Sequence, residues 1–137
     1  MDYDKQVARI KKQNKPLLED FQRWLEKSGL SSKTVRNHVQ NVEFFTEYQI
    51  YYEPLEPLVE AVAGDFLTFS IDWFPRKAMW ASAASARSNM TSFRKFAKFM
   101  LEAGHWSRSH VEEIKSMFKE HRDEIIDSAG ELDDYYW

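Results

Sequence analysis

The chain has 137 residues, of which 43% are hydrophobic and 30% are charged, a length and composition typical of one compact domain. It contains no cysteine, which excludes disulfide bonds, thiolate metal sites and a cysteine nucleophile. Residues 1–15 carry charges throughout, and no stretch of the chain approaches the roughly 18 apolar residues of a membrane span. We therefore expect a cytoplasmic protein with no membrane partner.

The net charge of −3 conceals an alternation of basic and acidic segments. Residues 29–42 contain two basic residues and residues 73–101 contain six, and neither segment contains an acid. Residues 43–72 contain seven acids and no base, and residues 112–134 contain nine acids against three bases. Two basic segments therefore alternate with two acidic segments in a protein whose isoelectric point is about 5.8.

The first helix is predicted over residues 16–27. Apolar residues recur at helical spacing from Leu17 to Leu25, Pro16 suits the first turn, and Gly29 suits the C-terminal cap. Residues 1–15 leave two alternatives open: a preceding helix bent at Pro16, or a basic and partly ordered arm.

The second helix is predicted over residues 33–49, after a serine cap at Ser31 or Ser32. Residues 53–57 contain two prolines and are expected to form a loop, followed by a short turn that ends at Gly64. Asp65 is then expected to cap a third helix, rich in aromatic residues and central in the core.

Pro75 is expected to end the third helix. A fourth helix, predicted to begin at Ser82 or Ser85, continues to Gly104 and is the longest. A capping box at Ser109 predicts an additional helix within residues 107–128. Residues 129–137 form an acidic, aromatic tail without periodicity. The tail either keeps the protein soluble, covers the basic helices as a phosphate mimic, or binds a partner.

The order of these features from Leu18 to Trp106 resembles the SAM-like core-binding domain of phage-integrase-type tyrosine recombinases. Two patterns carry the resemblance: F..WL...GLS..T over residues 21–34 and F..F..FM...G over residues 93–104. It covers about two thirds of the chain. The resemblance implies an all-α fold, with a SAM-like four-helix core-binding domain over residues 16–106 and an additional C-terminal helix.

In this family the core-binding domain grips one side of the DNA, and its second and fourth helices face the duplex. The resemblance therefore implies a DNA-binding module, and the two acid-free segments coincide with these two helices. Basic side chains there would attract phosphates and release counterions, and asparagines would meet adenine edges. The residues implied are Lys33, Arg36, Asn37, Arg87, Asn89, Arg94, Lys95 and Lys98. Helical spacing places Lys95 about 100 degrees away from Arg94.

In this family the catalytic tyrosine, arginines, lysine and histidines lie in a further domain of about 150 to 200 residues. The segment after Trp106 is too short for such a domain, so catalysis is not expected. His105, Trp106, Ser107 and Arg108 have the spacing of the family's histidine-to-arginine motif, but they fall in a turn where the resemblance ends. The four histidines form no metal-ligand pattern, and no glycine-rich phosphate loop is present. We expect no enzyme activity, metal, cofactor or small-molecule substrate.

The alternative hypothesis is a freestanding helical protein–protein interaction module that binds no DNA, with a recombinase subunit or another protein as its partner. Basic runs on helices are commonly just solvated faces. The DNA hypothesis requires Lys33, Arg36, Arg87, Arg94 and Lys98 to share one exposed face. The interaction hypothesis instead predicts an exposed apolar patch.

Overall fold

A computed structural model of the protein describes the backbone of residues 2–136 and the side chains of residues 2–130. This part of the chain is all-helical, which confirms the predicted all-α class, and the helix order is compatible with a SAM-like domain plus one additional helix. The elements are α1 (Tyr3–Lys27), α2 (Ser32–Gln49), a 3₁₀ turn (Leu58–Glu60), α3 (Ala63–Thr68), a π turn (Phe69–Trp73), α4 (Phe74–Lys77), α5 (Ala83–Glu102) and α6 (Arg108–Tyr136). None of the described helices combines the length and apolarity needed to cross a bilayer.

The helices form two compact units, Met1–Ala61 and Val62–Trp137. The boundary between the units falls inside the segment 16–106 that was predicted to be one core-binding domain, and that domain assignment stays a prediction. The physical reason is the pairing of the helices. In the N-terminal unit α1 packs on α2, whereas in the C-terminal unit α5 and α3 pack on α6.

Helix α1 begins at Tyr3, so the predicted helix start at Pro16 is wrong, and residues 3–15 belong to the same helix. Asp2 is the N-cap, and its side chain accepts a hydrogen bond from the backbone N–H of Lys5 at 2.9 Å. Pro16 lies inside the helix and is exposed. The buried stripe continues across it through Ile10, Asn14, Leu17, Phe21 and Leu25. Proline considered alone predicts a break in the helix at this position. Packing of the buried stripe stabilises the helix across it.

Two long-range hydrogen bonds hold the N-terminal half of α1 in its unit. The Tyr3 hydroxyl donates to the carbonyl of Ile50 at 2.8 Å. The buried Asn14 side chain accepts from the backbone N–H of Leu58 at 2.9 Å. These bonds connect α1 to the chain on both sides of the loop after α2.

Helix α2 begins where the sequence predicted, with Ser31 as the N-cap, accepting from the backbone N–H of Thr34 at 3.2 Å. Asp65 is not the cap of the next helix. It lies three residues inside α3, where its carboxylate accepts from the backbone N–H of Val62 at 2.9 Å. The same type of bond is made as in a cap, but the helix begins earlier than predicted.

Pro75 does not end the helical run, which continues to Lys77. A π turn precedes Pro75, and its wider backbone makes the bond from the N–H of Phe74 to the carbonyl of Phe69. Proline in a regular helix removes one hydrogen bond and clashes with the carbonyl four residues before it. A widened turn at this point relieves that conflict.

Helix α5 has the capping box expected at its start: the backbone N–H of Ser85 donates to the Ser82 hydroxyl at 3.1 Å, and the N–H of Ser82 donates to the Ser85 hydroxyl at 2.8 Å. Gly104 follows the helix with a φ of 80°, a conformation that glycine adopts without steric cost. The predicted limits of the fourth helix therefore agree with α5. The prediction that it is the longest helix is wrong, because α5 has 20 residues whereas α1 has 25 and α6 has 29.

Helix α6 is capped by Ser107, whose hydroxyl accepts from the backbone N–H of His110 at 3.1 Å, so the predicted cap at Ser109 is wrong. The helix continues to Tyr136, which corrects the predicted helix end at residue 128. The side chains of the acidic tail beyond Gly130 lie outside the described residues. The predictions of what this tail does therefore stay predictions.

The core of the C-terminal unit is an aromatic cluster centred on Phe93 of α5. Its ring centroid lies 5.0 Å from that of Phe66, 5.6 Å from Phe69 and 6.0 Å from Phe118. All four side chains are fully buried. Each such ring stabilises the unit by about 1.5–3 kcal/mol through burial. The cluster fixes which face of α5 is turned inward and therefore which face is left for binding.

Candidate nucleic-acid interface

One face of α5 is exposed and basic. Arg87 and Lys98 are exposed on it, and Thr91 lies between them at helical spacing. Within the part of the chain whose side chains are described, no carboxylate forms an ion pair with Arg87 or Lys98. Both charges are therefore available to an anionic ligand.

Arg94 lies on the same side of α5 but turns toward α6. Its guanidinium carbon is 5.8 Å from the centroid of the Phe118 ring, a cation–π contact. Partial burial lowers the pKa of Arg94, and the positive charge of Arg122 lowers it further. Lys95 is also half-buried. These two residues add positive potential to the face, but they project less than Arg87 and Lys98.

Asn89 does not belong to this face, so the prediction that it meets a base edge is wrong. Its side chain is only 5% exposed. Two residues along a helix correspond to a rotation of about 200 degrees, which carries Asn89 from the side of Arg87 to the buried side of α5. An adenine edge cannot reach it without unpacking the helix.

The first two turns of α2 form a second exposed basic surface. Lys33, Arg36 and Asn37 are all exposed, and the first turn of α2 contains no acid. The partial positive charge of a helix N-terminus adds to the two side-chain charges. Farther along α2 the surface becomes acidic, because Glu43 and Glu47 are exposed there. Partial burial raises the pKa of Glu43, and the negative charge of Glu47 raises it further.

A groove between α1 and α2 borders this surface. It is lined by Gln22, Glu26, Ser32, Val35, Arg36, Val39, Gln40 and Glu43. Two of these residues are acids and one is a base, so the groove carries mixed charge and does not continue the basic surface. The basic part of the α2 surface is thus limited to its first two turns.

The predicted residues therefore form two groups, one in each unit. Arg87, Arg94 and Lys98 lie together on α5, with Lys95 beside them. Lys33, Arg36 and Asn37 lie together on α2. That the two groups face a single duplex stays a prediction.

Sequence reasoning missed the turn between α4 and α5. Met79 and Trp80 are 100% and 57% exposed there, and only Ala78 separates them from the exposed Arg76 and Lys77. A signal was present, because two large apolar residues follow two cations in an acid-free connection. These apolar residues were not predicted as a candidate site, because the segment was assessed only by its charge.

The four residues with the histidine-to-arginine spacing lie between the end of α5 and the start of α6. Trp106 is buried, with its ring centroids 5.5 Å from Phe96 and 4.7 Å from His110, as expected for a residue that packs over helix ends. His105 is exposed, and Arg108 begins α6. Across the described side chains no three histidines or carboxylates are grouped as metal ligands.

Comparison with known proteins gives no match: no family model, no curated protein and no solved structure is similar to this chain. No residue role is therefore carried over from a relative. The exposed charges of α5 and α2 and the resemblance in the sequence are the features that indicate a function.

Proposed function

We propose that this protein is a non-catalytic, cytoplasmic module that binds duplex DNA through the exposed basic face of α5, with the first two turns of α2 as a second contact. One observation carries the proposal: Arg87 and Lys98 project from a single face of α5, and among the described side chains no carboxylate forms an ion pair with either of them. The resemblance to the integrase core-binding domain, whose second and fourth helices face DNA, supports it.

The spacing of the two α5 cations suits a duplex. Lys98 follows Arg87 by eleven positions, which corresponds to about 16 Å along a helix. The major groove is about 12 Å wide, so the two long side chains can reach phosphates on both of its edges. Phosphate contacts of this kind give affinity and orientation without sequence preference.

The α2 surface would add phosphate contacts from Lys33 and Arg36. Asn37 is the exposed amide best placed to read a base, because an asparagine can make two hydrogen bonds with adenine. In this proposal sequence preference, if the protein has one, depends on α2, and general affinity depends on α5.

The proposal is tested by fluorescence anisotropy with a mixed-sequence duplex across a salt series. An Arg87→Glu/Lys98→Glu variant should bind at least about tenfold more weakly at low salt, and its log–log salt slope should fall by about 2, because each lost phosphate contact removes about 0.9. A Lys33→Glu/Arg36→Glu variant measures the contribution of α2 separately. Arg94 is left unchanged because its substitution would also disturb the contact with Phe118.

The matched control is Lys5→Glu/Lys12→Glu, which changes the net charge equally at two exposed positions of α1. It should weaken binding only slightly and leave the salt slope unchanged. Equal losses in the control and α5 variants would show a general charge effect and contradict the proposed interface. Absence of binding by the unsubstituted protein at low salt would remove the proposed function.

A second candidate function, protein interaction, is favoured by exposed tyrosines in the N-terminal unit. Tyr3, Tyr51 and Tyr52 are each about half exposed, and the rings of Tyr51 and Tyr52 meet edge to face with centroids 4.8 Å apart. Tyrosine is enriched in protein interfaces because it contributes a rigid apolar area with a polar end. Binding to a recombinase subunit that is lost in a Tyr51→Ser/Tyr52→Ser variant, in a protein that binds no DNA, would favour this candidate.

A further inference from the structure

The turn between α4 and α5 presents two apolar side chains at its tip. The backbone N–H of Ala81 donates to the carbonyl of Ala78 at 3.2 Å, which closes a β-turn with Met79 and Trp80 at its two central positions. Such positions are usually occupied by glycine, proline, asparagine, aspartate or serine. Met79 is fully exposed and Trp80 is 57% exposed, so neither residue is explained by packing alone.

The tip is held in place by its surroundings. Ala78 and Ala81, on either side of it, are buried. The Ser85 hydroxyl donates to the carbonyl of Trp80 at 3.2 Å, and the Trp80 ring meets the buried Phe74 edge to face at 6.3 Å between centroids. A side chain that is already positioned loses less entropy when it binds, which favours a role in recognition.

The charges around the tip are positive. Arg76 and Lys77 precede it and are exposed, and the nearby carboxylate of Asp72 is already ion-paired with Arg76 at 3.0 Å. The segment 73–101 contains no acid. An apolar tip with adjacent cations fits a partner that has both phosphates and accessible flat apolar groups. Nucleic acid with exposed base faces has this chemistry, because aromatic side chains stack on bases while cations bind the backbone.

On the basis of the proposed DNA-binding function, we propose that the Met79–Trp80 tip binds bases at interruptions of a duplex, with Trp80 stacking on an unpaired base and Lys77 near the adjoining phosphate. In a continuous duplex, insertion of an apolar side chain first requires a base step to unstack. At a gap or a bulge the base face is accessible without that cost. The chemical class of ligand is therefore duplex DNA with a locally open base stack.

The test compares the affinity of the full chain for two labelled duplexes of equal length, one continuous and one with a short internal gap. The gapped duplex should bind about tenfold more tightly, the range expected for one base stacked on an aromatic side chain. Trp80→Ala should abolish this ratio without changing the affinity for the continuous duplex. Trp80→Phe should keep most of the ratio because it retains an aromatic face.

The matched control is Tyr52→Ala, which removes an aromatic side chain of similar exposure from the other unit and should leave the ratio unchanged. Thermal unfolding followed by circular dichroism verifies that each variant is folded. A Trp80→Ala variant that unfolds is replaced by Met79→Ala, whose side chain makes no ring contact and which should lower the ratio.

The remaining outcomes separate this inference from the proposed function. Equal affinity of the unsubstituted protein for both duplexes, or a ratio that survives Trp80→Ala, overturns the inference and leaves the proposed function standing. No binding to either duplex overturns both. Trp80-dependent binding to phosphatidylserine vesicles, without preference for the gap, overturns the inference and assigns the tip to a membrane surface.

Discussion

Three asparagines show how far the surroundings decide the role of one side chain. Asn37 is exposed on α2, and Asn89 is buried in α5. Asn14 is also buried, and it accepts the backbone N–H of Leu58, 44 residues away in the sequence. A buried backbone N–H without a partner costs free energy comparable to a lost hydrogen bond. The Asn14 side chain therefore has a structural role that its position in a helix does not indicate.

The residue-scale prediction concerns Asn14→Ala. The free energy of unfolding should fall by about 1–3 kcal/mol, because the buried N–H of Leu58 loses its acceptor. Urea denaturation measures this change. The matched control is Asn37→Ala at the exposed site, which should alter stability by no more than about 0.5 kcal/mol. Equal effects of the two substitutions would contradict the structural role of the Asn14–Leu58 bond.

At the scale of elements, helix limits depend on hydrogen bonds and packing more than on single marker residues. Proline occurs inside α1 at Pro16 and inside α4 at Pro75, and in neither place does it end the helical run. Two serines near the start of α6 have similar local signals, yet Ser107 makes the capping bond.

The element-scale prediction compares Ser107→Ala with Ser109→Ala. Loss of the Ser107 hydroxyl should destabilise the protein by about 1 kcal/mol, because the N–H of His110 loses its capping acceptor. Ser109→Ala removes an exposed serine hydroxyl inside the helix and should be nearly neutral or slightly stabilising, since alanine has the higher helix propensity. Thermal unfolding of both variants decides the matter. A larger loss for Ser109→Ala would place the cap where the capping-box pattern predicted it.

At the scale of the whole molecule, charge is distributed in opposition to the proposed function. The protein is acidic overall, while its proposed DNA-binding surfaces are basic. Long-range repulsion between the net negative charge and the phosphates should therefore weaken binding at low salt. Three acids of the C-terminal segment, Glu131, Asp133 and Asp134, account for a charge equal to the net charge of −3.

The molecular-scale prediction is that Glu131→Gln/Asp133→Asn/Asp134→Asn strengthens duplex binding. Neutralising three acids raises the net charge from −3 to 0, and a general electrostatic effect should give a few-fold gain at low salt that disappears at high salt. A phosphate mimic that competes for the basic helices would give a gain above about tenfold. Anisotropy titrations at both salt concentrations measure it. An unchanged affinity at low salt would contradict any role of these charges.

Local patterns in the sequence correctly predicted the helical class, the start of α2 and the limits of α5, and they revealed the acid-free segments. These follow from local physical chemistry: serine hydroxyls cap helix starts, glycine adopts a positive φ after α5, and apolar residues repeat at the spacing of a buried face. Most of the candidate cations were also predicted in this way, because basic residues in acid-free segments can be identified directly from the sequence.

Other features depend on contacts between helices, which local patterns do not specify. The rotation of α5 against α6 buried Asn89, turned Arg94 toward Phe118 and left Arg87 and Lys98 exposed. The division into two units and the continuation of α1 through Pro16 likewise depend on contacts between residues far apart in the chain. Local patterns give a helix its apolar stripe, but the free energy of packing against its neighbours selects which side chains remain at the surface to bind.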